Sequence, residues 1–275
     1  EDFDAWAALG NPGWGYADVL PAFRRIERTH FGEDAVRGRE GPMHVQALRT
    51  KHELGDVFLQ AAAQCGVPFN PDYNGTVQEG AAEPQVTQRD GWRWSSARAF
   101  LNPVRSRANL HIETGVTVER LEFDGVRCTG VRLAARGGDD ALRRLAAGGE
   151  VVLAAGTLAS PKILMHSGIG PAAVLQQYGI PVRVARDAVG ADLQEHPNSL
   201  VCASVNVRTF NMDATPWRMF RNAVRWMFTG RGPASSPYPH AVAFLRSSPD
   251  EPRPDLQFLF GPFAFSFDER GVVPY

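Results

Sequence analysis

Residues 150–170, with the sequence EVVLAAGTLASPKILMHSGIG, constrain the fold of this chain more than any other stretch. The apolar run at 151–153 predicts a buried strand, and the small residues at 154–157 predict a turn into a helix that begins near Ser160 and Pro161. Small residues at the end of a strand let a ligand approach the backbone, and the free N–H groups of the following helix bind anionic oxygens. These residues fit a ligand site, and they fit an ordinary strand–turn–helix unit equally well.

The composition argues against several classes of function. A chain of 275 residues can form one large domain or two, and its net charge of −1 provides no basic excess for a dedicated nucleic-acid binder. Cys65, Cys128 and Cys202 lie far apart without C-x-x-C spacing, so we expect neither a disulfide framework nor a metal site. Unpaired cysteines are typical of a reducing compartment, and we therefore expect a cytoplasmic protein.

Several spaced positions in 150–170 resemble a family signature. The pairs at 156–157, 160–161 and 163–164 and the SGIG at 167–170 resemble the second signature of the glucose-methanol-choline (GMC) flavoprotein oxidoreductases. The preceding VVLAAG is similar to a strand that many flavoproteins carry beside FAD. This resemblance implies FAD as the cofactor. The FAD-binding residues that we predict at the bend are Ala154, Ala155, Gly156 and Thr157.

The start of the chain indicates a fragment. It opens on EDFDAW without Met, and residues 2–27 resemble the segment that follows the first signature of the family, downstream of its Gly-rich dinucleotide loop. No G-x-G-x-x-G follows a strand in these residues, so we expect the main pyrophosphate site to lie upstream. We predict a connecting, lid-proximal segment at 1–50, part of the FAD-binding domain at 51–190 and the start of the substrate-binding domain at 191–275.

The middle of the chain predicts strands joined by tight turns. Alternating apolar residues indicate strands at 110–112, 116–123 and 131–133, with Asp124-Gly125 as a hairpin turn. The fold class that we predict is α/β with α+β elements. It combines a partial FAD-binding Rossmann-like domain that carries an inserted β meander with the start of an antiparallel-sheet substrate domain. In the family, a residue four positions after the Thr of a Thr-Gly pair contacts the adenine through its backbone. This resemblance places the role on Val118, which also fits an ordinary inward-facing strand residue.

The polar region at 69–103 predicts mostly loop, which is either part of a binding site or an ordinary surface loop, until Ser95 or Ser96 caps a short helix that Pro103 ends or kinks. It contains DYNG, QEG, QVTQ-x-DG and RWS-x-ARAFL, which resemble the choline-dehydrogenase-like branch of the family. The residues AAEP at 81–84 depart from the pattern of that branch. Apolar residues at helical spacing predict further helices from about Asp18 and over 52–64.

The part of the chain beyond about residue 199 predicts a different set of helices and strands. We predict a strand at 200–206, a helix at 217–227 and strands at 240–245 and 255–260. The helix combines aromatic residues with three arginines; it could lie on a membrane surface, but burial of its apolar face against a sheet is the more frequent arrangement. The aromatic residues between 258 and 267 fit either the wall of an apolar pocket or a core. They are Phe258, Phe260, Phe263, Phe265 and Phe267.

The resemblance also implies a mechanism. Enzymes of this family oxidise an alcohol by passing a hydride from carbon to the flavin N5 while a basic side chain takes the hydroxyl proton. The family's base is a histidine near the C-terminus, which we expect beyond Tyr275. The segment 189–196 resembles the V-G-x-N-L-x-D-H turn, with Asp192 and Glu195 as departures, and a structural role suits His196 better than acid–base chemistry. We therefore name no catalytic residue in this chain.

These observations predict an FAD-dependent oxidoreductase that acts on the CH–OH group of choline or another primary alcohol. Two alternatives remain: a hydroxynitrile lyase type of enzyme, which keeps the flavin without hydride transfer, and a catalytically silent fragment. The expected partners are a small-molecule alcohol and an electron acceptor, which is oxygen or a carrier. We expect no nucleic-acid partner and no membrane association.

Overall fold

The computed structural model describes residues 1–135, 143–268 and 271–274. Contacts divide the chain into two compact units, which we call unit 1 (Glu1–Arg107 with Val201–Tyr275) and unit 2 (Ala108–Leu200). The functional boundaries predicted at residues 50 and 190 stay a prediction, because a unit of packing need not be a unit of function. The side chains of Phe265 and Phe267, which belong to the predicted aromatic cluster, lie outside the described part.

In the described part of the chain, the α-helices are α1 (Asp2–Ala8), α2 (Tyr16–Ile26), α3 (Glu53–Gln64), α4 (Gly156–His166), α5 (Ala172–Gln177) and α6 (Pro216–Thr229). A π-helix at Ala97–Leu101 lies where the sequence predicts a short helix, and 3-10 helices lie at Asn102–Val104, Phe210–Asp213 and Pro233–Ser235. The strands are β1 (Glu27–Arg28), β2 (Met43–His44), β3 (Gln46–Ala47), β4 (Gly80–Ala82), β5 (Gln85–Val86), β6 (Gln88–Arg89), β7 (Trp92–Arg93), β8 (Val116–Asp124), β9 (Arg127–Ala135), β10 (Arg143–Ala146), β11 (Ile169–Gly170), β12 (Val184–Ala185), β13 (Ala241–Leu245), β14 (Leu256–Phe260), β15 (Phe265–Asp268) and β16 (Gly271–Pro274). Among the described residues, no helix has the length and apolar character needed to cross a bilayer.

Local hydrogen bonds help to place the first helices of unit 1. Asp4 of α1 accepts a hydrogen bond from the Tyr16 N–H at the start of α2, at 2.8 Å, so α2 begins slightly before the predicted Asp18. At the start of α3, the Nδ1 atom of His52 accepts the N–H of Leu54 at 3.2 Å. A side chain that takes one of the unpaired N–H groups stabilises a helix start, and the helix predicted at 52–64 is confirmed.

The core of unit 1 is the sheet β14–β13–β4. Its central strand β13 is antiparallel to both neighbours, and Val242 lies opposite Leu259 of β14 and Ala82 of β4. The strands predicted at 240–245 and 255–260 are confirmed. The third strand, β4, was missed because Gly-Ala-Ala has little intrinsic β-propensity. Small side chains are buried where these strands meet: Ala81, Ala82, Ala241, Val242 and Ala243.

Unit 2 is built on the antiparallel meander β8–β9–β10. Its first hairpin turns at Asp124-Gly125 as predicted, and Gly125 adopts a φ of +55°, which glycine tolerates best. Ser167, the residue after α4, accepts the Leu121 N–H of β8 at 2.8 Å and donates to the Ile163 carbonyl of α4 at 2.6 Å. Because Ser167 follows the last residue of α4, this contact joins the C-terminal end of the helix to the meander.

Three predicted strands are wrong. Residues 151–153 pair with no strand among the described residues, and Val152 is 79 % exposed. The segments 110–112 and 200–206 are not strands either. An extended segment becomes a strand only when a neighbouring backbone takes its hydrogen bonds, and alternation of apolar residues does not show whether that neighbour is present.

Helix α4 begins earlier than predicted. It starts at Gly156, and Ser160, which was expected to precede it, lies inside it and accepts the Ala155 N–H at 3.0 Å. Pro161 also lies inside α4, where its missing N–H removes the helical hydrogen bond to the Thr157 carbonyl. The bend and the first turn of the helix therefore overlap in sequence.

Candidate functional site

The bend at 154–157 leaves its backbone accessible. These residues are exposed, and a Cβ added to Gly156 would meet no atom within 4 Å. Gly156 has a φ of +86°, a conformation that strains residues with a Cβ. Leu158, just beyond the bend, is 73 % exposed and does not fill it. A ligand can therefore approach this backbone closely, as the small residues predicted.

The start of α4 adds polar character to the bend. Ala155, the residue before the helix, has a methyl side chain that cannot accept a hydrogen bond from the first turn. The first N–H groups of a helix lack partners within the helix and carry a partial positive charge. This arrangement suits an anionic oxygen, so the residues present fit one part of a dinucleotide such as FAD.

An apolar groove continues from the bend along α4. It has a volume of about 940 Å³ and lies between α4, α5 and the loop at 189–194. Thr157 and Leu158 line one part of it. Asp192 on the loop has a φ of +52°. Asn and Asp tolerate this left-handed conformation better than most other residues. Asp192 stands where the family motif has Asn, and it can adopt the same backbone conformation.

Val118 lies on β8, in the same unit as the bend. It pairs with Leu133 of β9, and the register of the two strands shifts between Val118 and Arg120. Among the described strands, β8 has a partner on one side only, so its other backbone edge is free of a paired strand. The Val118 side chain is half-buried. A backbone contact and side-chain packing are compatible here, but the binding roles of Val118 and of the bend stay predictions.

A buried histidine in unit 1 was not singled out by sequence reasoning. His240 is 4 % exposed; its Nε2 lies 2.7 Å from the Ser236 Oγ, and its Nδ1 has no hydrogen-bond partner in the described part. Burial, together with the nearby His52, lowers the pKa of His240 to about 4. His240 is therefore neutral at physiological pH. In the sequence, a single His within a predicted strand does not indicate whether its ring is buried.

The DYNG motif has a structural role in unit 1. Its first residue, Asp72, forms an ion pair with Arg37, and Arg37 also pairs with Glu27 at 2.6 Å. Burial lowers the pKa of Arg37, but the interactions with Glu27 and Asp72 outweigh it and raise the pKa from its ordinary value. The Tyr73 hydroxyl accepts the Gln85 N–H at 2.8 Å, and burial raises the pKa of this tyrosine. The motif joins segments that are distant in sequence.

Comparison with known proteins identifies the family. The family model described as GMC oxidoreductase matches residues 1–198. The chain belongs to the GMC oxidoreductase family. It is 40 % identical over 277 residues to the oxygen-dependent choline dehydrogenase of Sinorhizobium medicae, a match that covers 99 % of this chain and 49 % of that protein. The chain therefore spans about half the length of this curated relative.

Two further relatives extend this result. The mitochondrial choline dehydrogenase of Mus musculus is 38 % identical over 263 residues, which are 95 % of this chain and 44 % of that protein. The solved structure of an FAD-dependent oxidoreductase from Chaetomium thermophilum matches with a TM-score of 0.76 and 26 % identity, covering 89 % of this chain and 45 % of that one. The GMC resemblance, the fold class and FAD as the cofactor of the family are confirmed.

The described residues contain no group of three or more His, Cys, Asp or Glu side chains arranged to hold a metal ion. They do contain His52, His196 and His240, but no resemblance assigns a reaction to any of these. The base expected beyond Tyr275 stays a prediction.

Proposed function

We propose that the full-length protein is an FAD-dependent oxidoreductase that acts on the CH–OH group of an alcohol. The observation that carries the proposal is the open bend at 154–157, which lies within the region matched by the GMC model and leads directly into α4. The choline dehydrogenases among the relatives support choline or another primary alcohol as the substrate. We keep a cytoplasmic location and no nucleic-acid partner as parts of the proposal.

In this proposal the chain supplies binding groups. FAD, when bound, provides the acceptor for a hydride from the alcohol carbon. The bend at 154–157 lets the cofactor approach the backbone, the start of α4 offers N–H groups to its anionic oxygens, and Val118 contributes a backbone contact. The group that takes the hydroxyl proton lies outside this chain, and the electron acceptor is oxygen or a carrier.

A pair of glycine substitutions tests the role of the bend. Gly156 and Gly179 both have positive φ values, +86° and +67°, and at both an added Cβ would meet nothing within 4 Å. Gly156→Val and Gly179→Val in the full-length protein therefore introduce similar backbone strain. We expect Gly156→Val alone to lose most of its bound FAD, measured as the ratio of flavin to protein absorbance. Equal FAD content in the two variants would argue against a cofactor site at the bend.

The reaction itself needs a separate measurement. Mixing the full-length protein with choline or another primary alcohol in the absence of oxygen should bleach the flavin absorbance as the flavin is reduced. Bound FAD that no alcohol reduces would favour the lyase alternative, in which no hydride moves. A full-length protein without FAD would instead contradict the proposal altogether.

A further inference from the structure

The bend at 154–157 has one side-chain hydrogen bond among the described residues. The Ser160 hydroxyl accepts the Ala155 N–H at 3.0 Å. Side chains in a helix tilt toward its N-terminus, so a serine in the second turn of α4 can reach back to the residue before the helix. The contact joins two residues only five positions apart. It is therefore a property of this segment of the chain and does not depend on what packs against the outside of the bend.

The side chains of the bend do little to fix its backbone. Ala154 and Ala155 carry one methyl group each, and Gly156 carries no side chain. Ala155 has a φ of −85° and a ψ of 6°, a sparsely populated conformation, and Gly156 has a φ of +86°. Without a restraint a glycine samples many backbone conformations, and a ligand that needs one of them loses affinity. The hydrogen bond to Ser160 supplies such a restraint.

Helix α2 offers a comparison for this contact. There the carboxylate of Asp18 accepts the N–H of Gly15, the residue before the helix, at 3.1 Å. In both helices a side chain from inside the helix holds the N–H that precedes it, but α2 uses an anion and α4 uses a neutral hydroxyl. The first turn of α4 also contains no acidic residue. A neutral hydroxyl leaves the positive end of the helix available to an anionic ligand, whereas a carboxylate would repel that ligand.

We propose that Ser160 is a positioning residue of the cofactor site, because its hydroxyl holds the Ala155 N–H and keeps the bend in the conformation that receives FAD. The inference rests on the proposed function. The N–H groups of the next three residues, 156–158, have no backbone partner among the described residues, and a helix provides none for its first turn. With the bend held by Ser160, these three groups are presented to the anionic oxygens of the cofactor from one fixed backbone.

Variants of Ser160 in the full-length protein test this role. The dissociation constant of FAD is measured by titrating the apoprotein with FAD and following flavin fluorescence. Ser160→Ala removes the acceptor but introduces a stronger helix former, so α4 itself is not weakened. We expect FAD to bind about fivefold more weakly, which corresponds to the loss of one ordinary hydrogen bond. Ser160→Thr keeps a hydroxyl and should bind FAD as the wild type does. Wild-type affinity in Ser160→Ala, or no recovery in Ser160→Thr, would show that the proposal is wrong.

The matched control is the serine that follows the other end of α4. Ser167 is buried and accepts the Leu121 N–H at 2.8 Å, so Ser167→Ala should lower the free energy of unfolding of the apoprotein. At a temperature where this variant is folded, we expect wild-type affinity for FAD. An equal loss of affinity in both alanine variants would indicate general damage to α4 and would overturn the proposal. A wild-type protein that binds no FAD would contradict the proposed function and this inference with it, whereas normal binding by both the wild type and Ser160→Ala would contradict the role of Ser160 alone.

Discussion

Two clusters of charged side chains, one in each unit, use the same residue types in different environments. In unit 1, Arg37 is 3 % exposed and pairs with Glu27 and Asp72, whose side chains are 21 % and 10 % exposed. In unit 2, Glu122 is 16 % exposed and pairs with Arg132 and Arg144, which are 31 % and 52 % exposed. Arg37 is a buried cation that serves both carboxylates of the first cluster, whereas Glu122 keeps one partly hydrated cation when the other is removed. The burial and the number of the cations therefore decide how much each ion pair matters to stability.

The largest effect is expected at Arg37. Replacement by Met leaves Glu27 and Asp72 without their cation in a poorly hydrated site, and breaking a buried ion pair in this way costs about 3 to 5 kcal/mol. The free energy of unfolding from urea titrations should fall by that amount. Arg37→Lys keeps the charge but cannot pair in two directions as Arg does, so an intermediate loss is expected. A change near zero for Arg37→Met would show that the cluster is hydrated in solution.

His240 extends the comparison to a buried group without an opposite charge. Its pKa of about 4 in the folded protein lies below the ordinary 6.5 of an unfolded chain, so the unfolded state binds the proton first as pH falls. The resulting stability is present above pH 6.5 and is lost between pH 6.5 and 4, by about 3 kcal/mol. His240→Gln should lack this part of the acid sensitivity. Identical pH profiles of unfolding for the two proteins would refute burial of a neutral His240.

The smallest effect is expected in unit 2. Arg132→Met removes one partner of Glu122, but Arg144 remains at 2.6 Å and solvent reaches the cluster. The loss of stability should be much smaller than that for Arg37→Met and should shrink further in high salt, because exposed charges are screened. Urea titrations of both variants at low and high salt make the comparison directly. If Arg132→Met lowered the free energy of unfolding as much as Arg37→Met, and by the same amount at both salt concentrations, the difference in exposure would not explain the contributions of the two clusters.

Much of the candidate site could be predicted because the features that indicate it involve residues that are neighbours in sequence. The hairpin at Asp124-Gly125 and the small residues at 154–157 act through the conformations that their own backbones allow. The helix boundary was predicted less well. Ser160 is a good cap by residue type, but it lies inside α4, and the helix begins at Gly156.

The strand at 151–153 was predicted from its apolar residues and is absent, because pairing depends on another backbone. The orientation of α6 could not be predicted for a related reason. Its apolar stripe is visible in the sequence, but the contact of Trp226 with Trp92 determines which side of the helix faces unit 1. No periodicity within α6 contains that information.

The sequence by itself determined the family, the cofactor of that family and the main helices and hairpins, since these depend on neighbouring residues and on spacing along the chain. Only the tertiary structure decided that Arg37 meets Asp72, that residues 80–82 join the strand at 241–245, and that His240 is buried. Those contacts join positions far apart in sequence. Their energies depend on how much water is excluded around them, and that is a property of the folded chain.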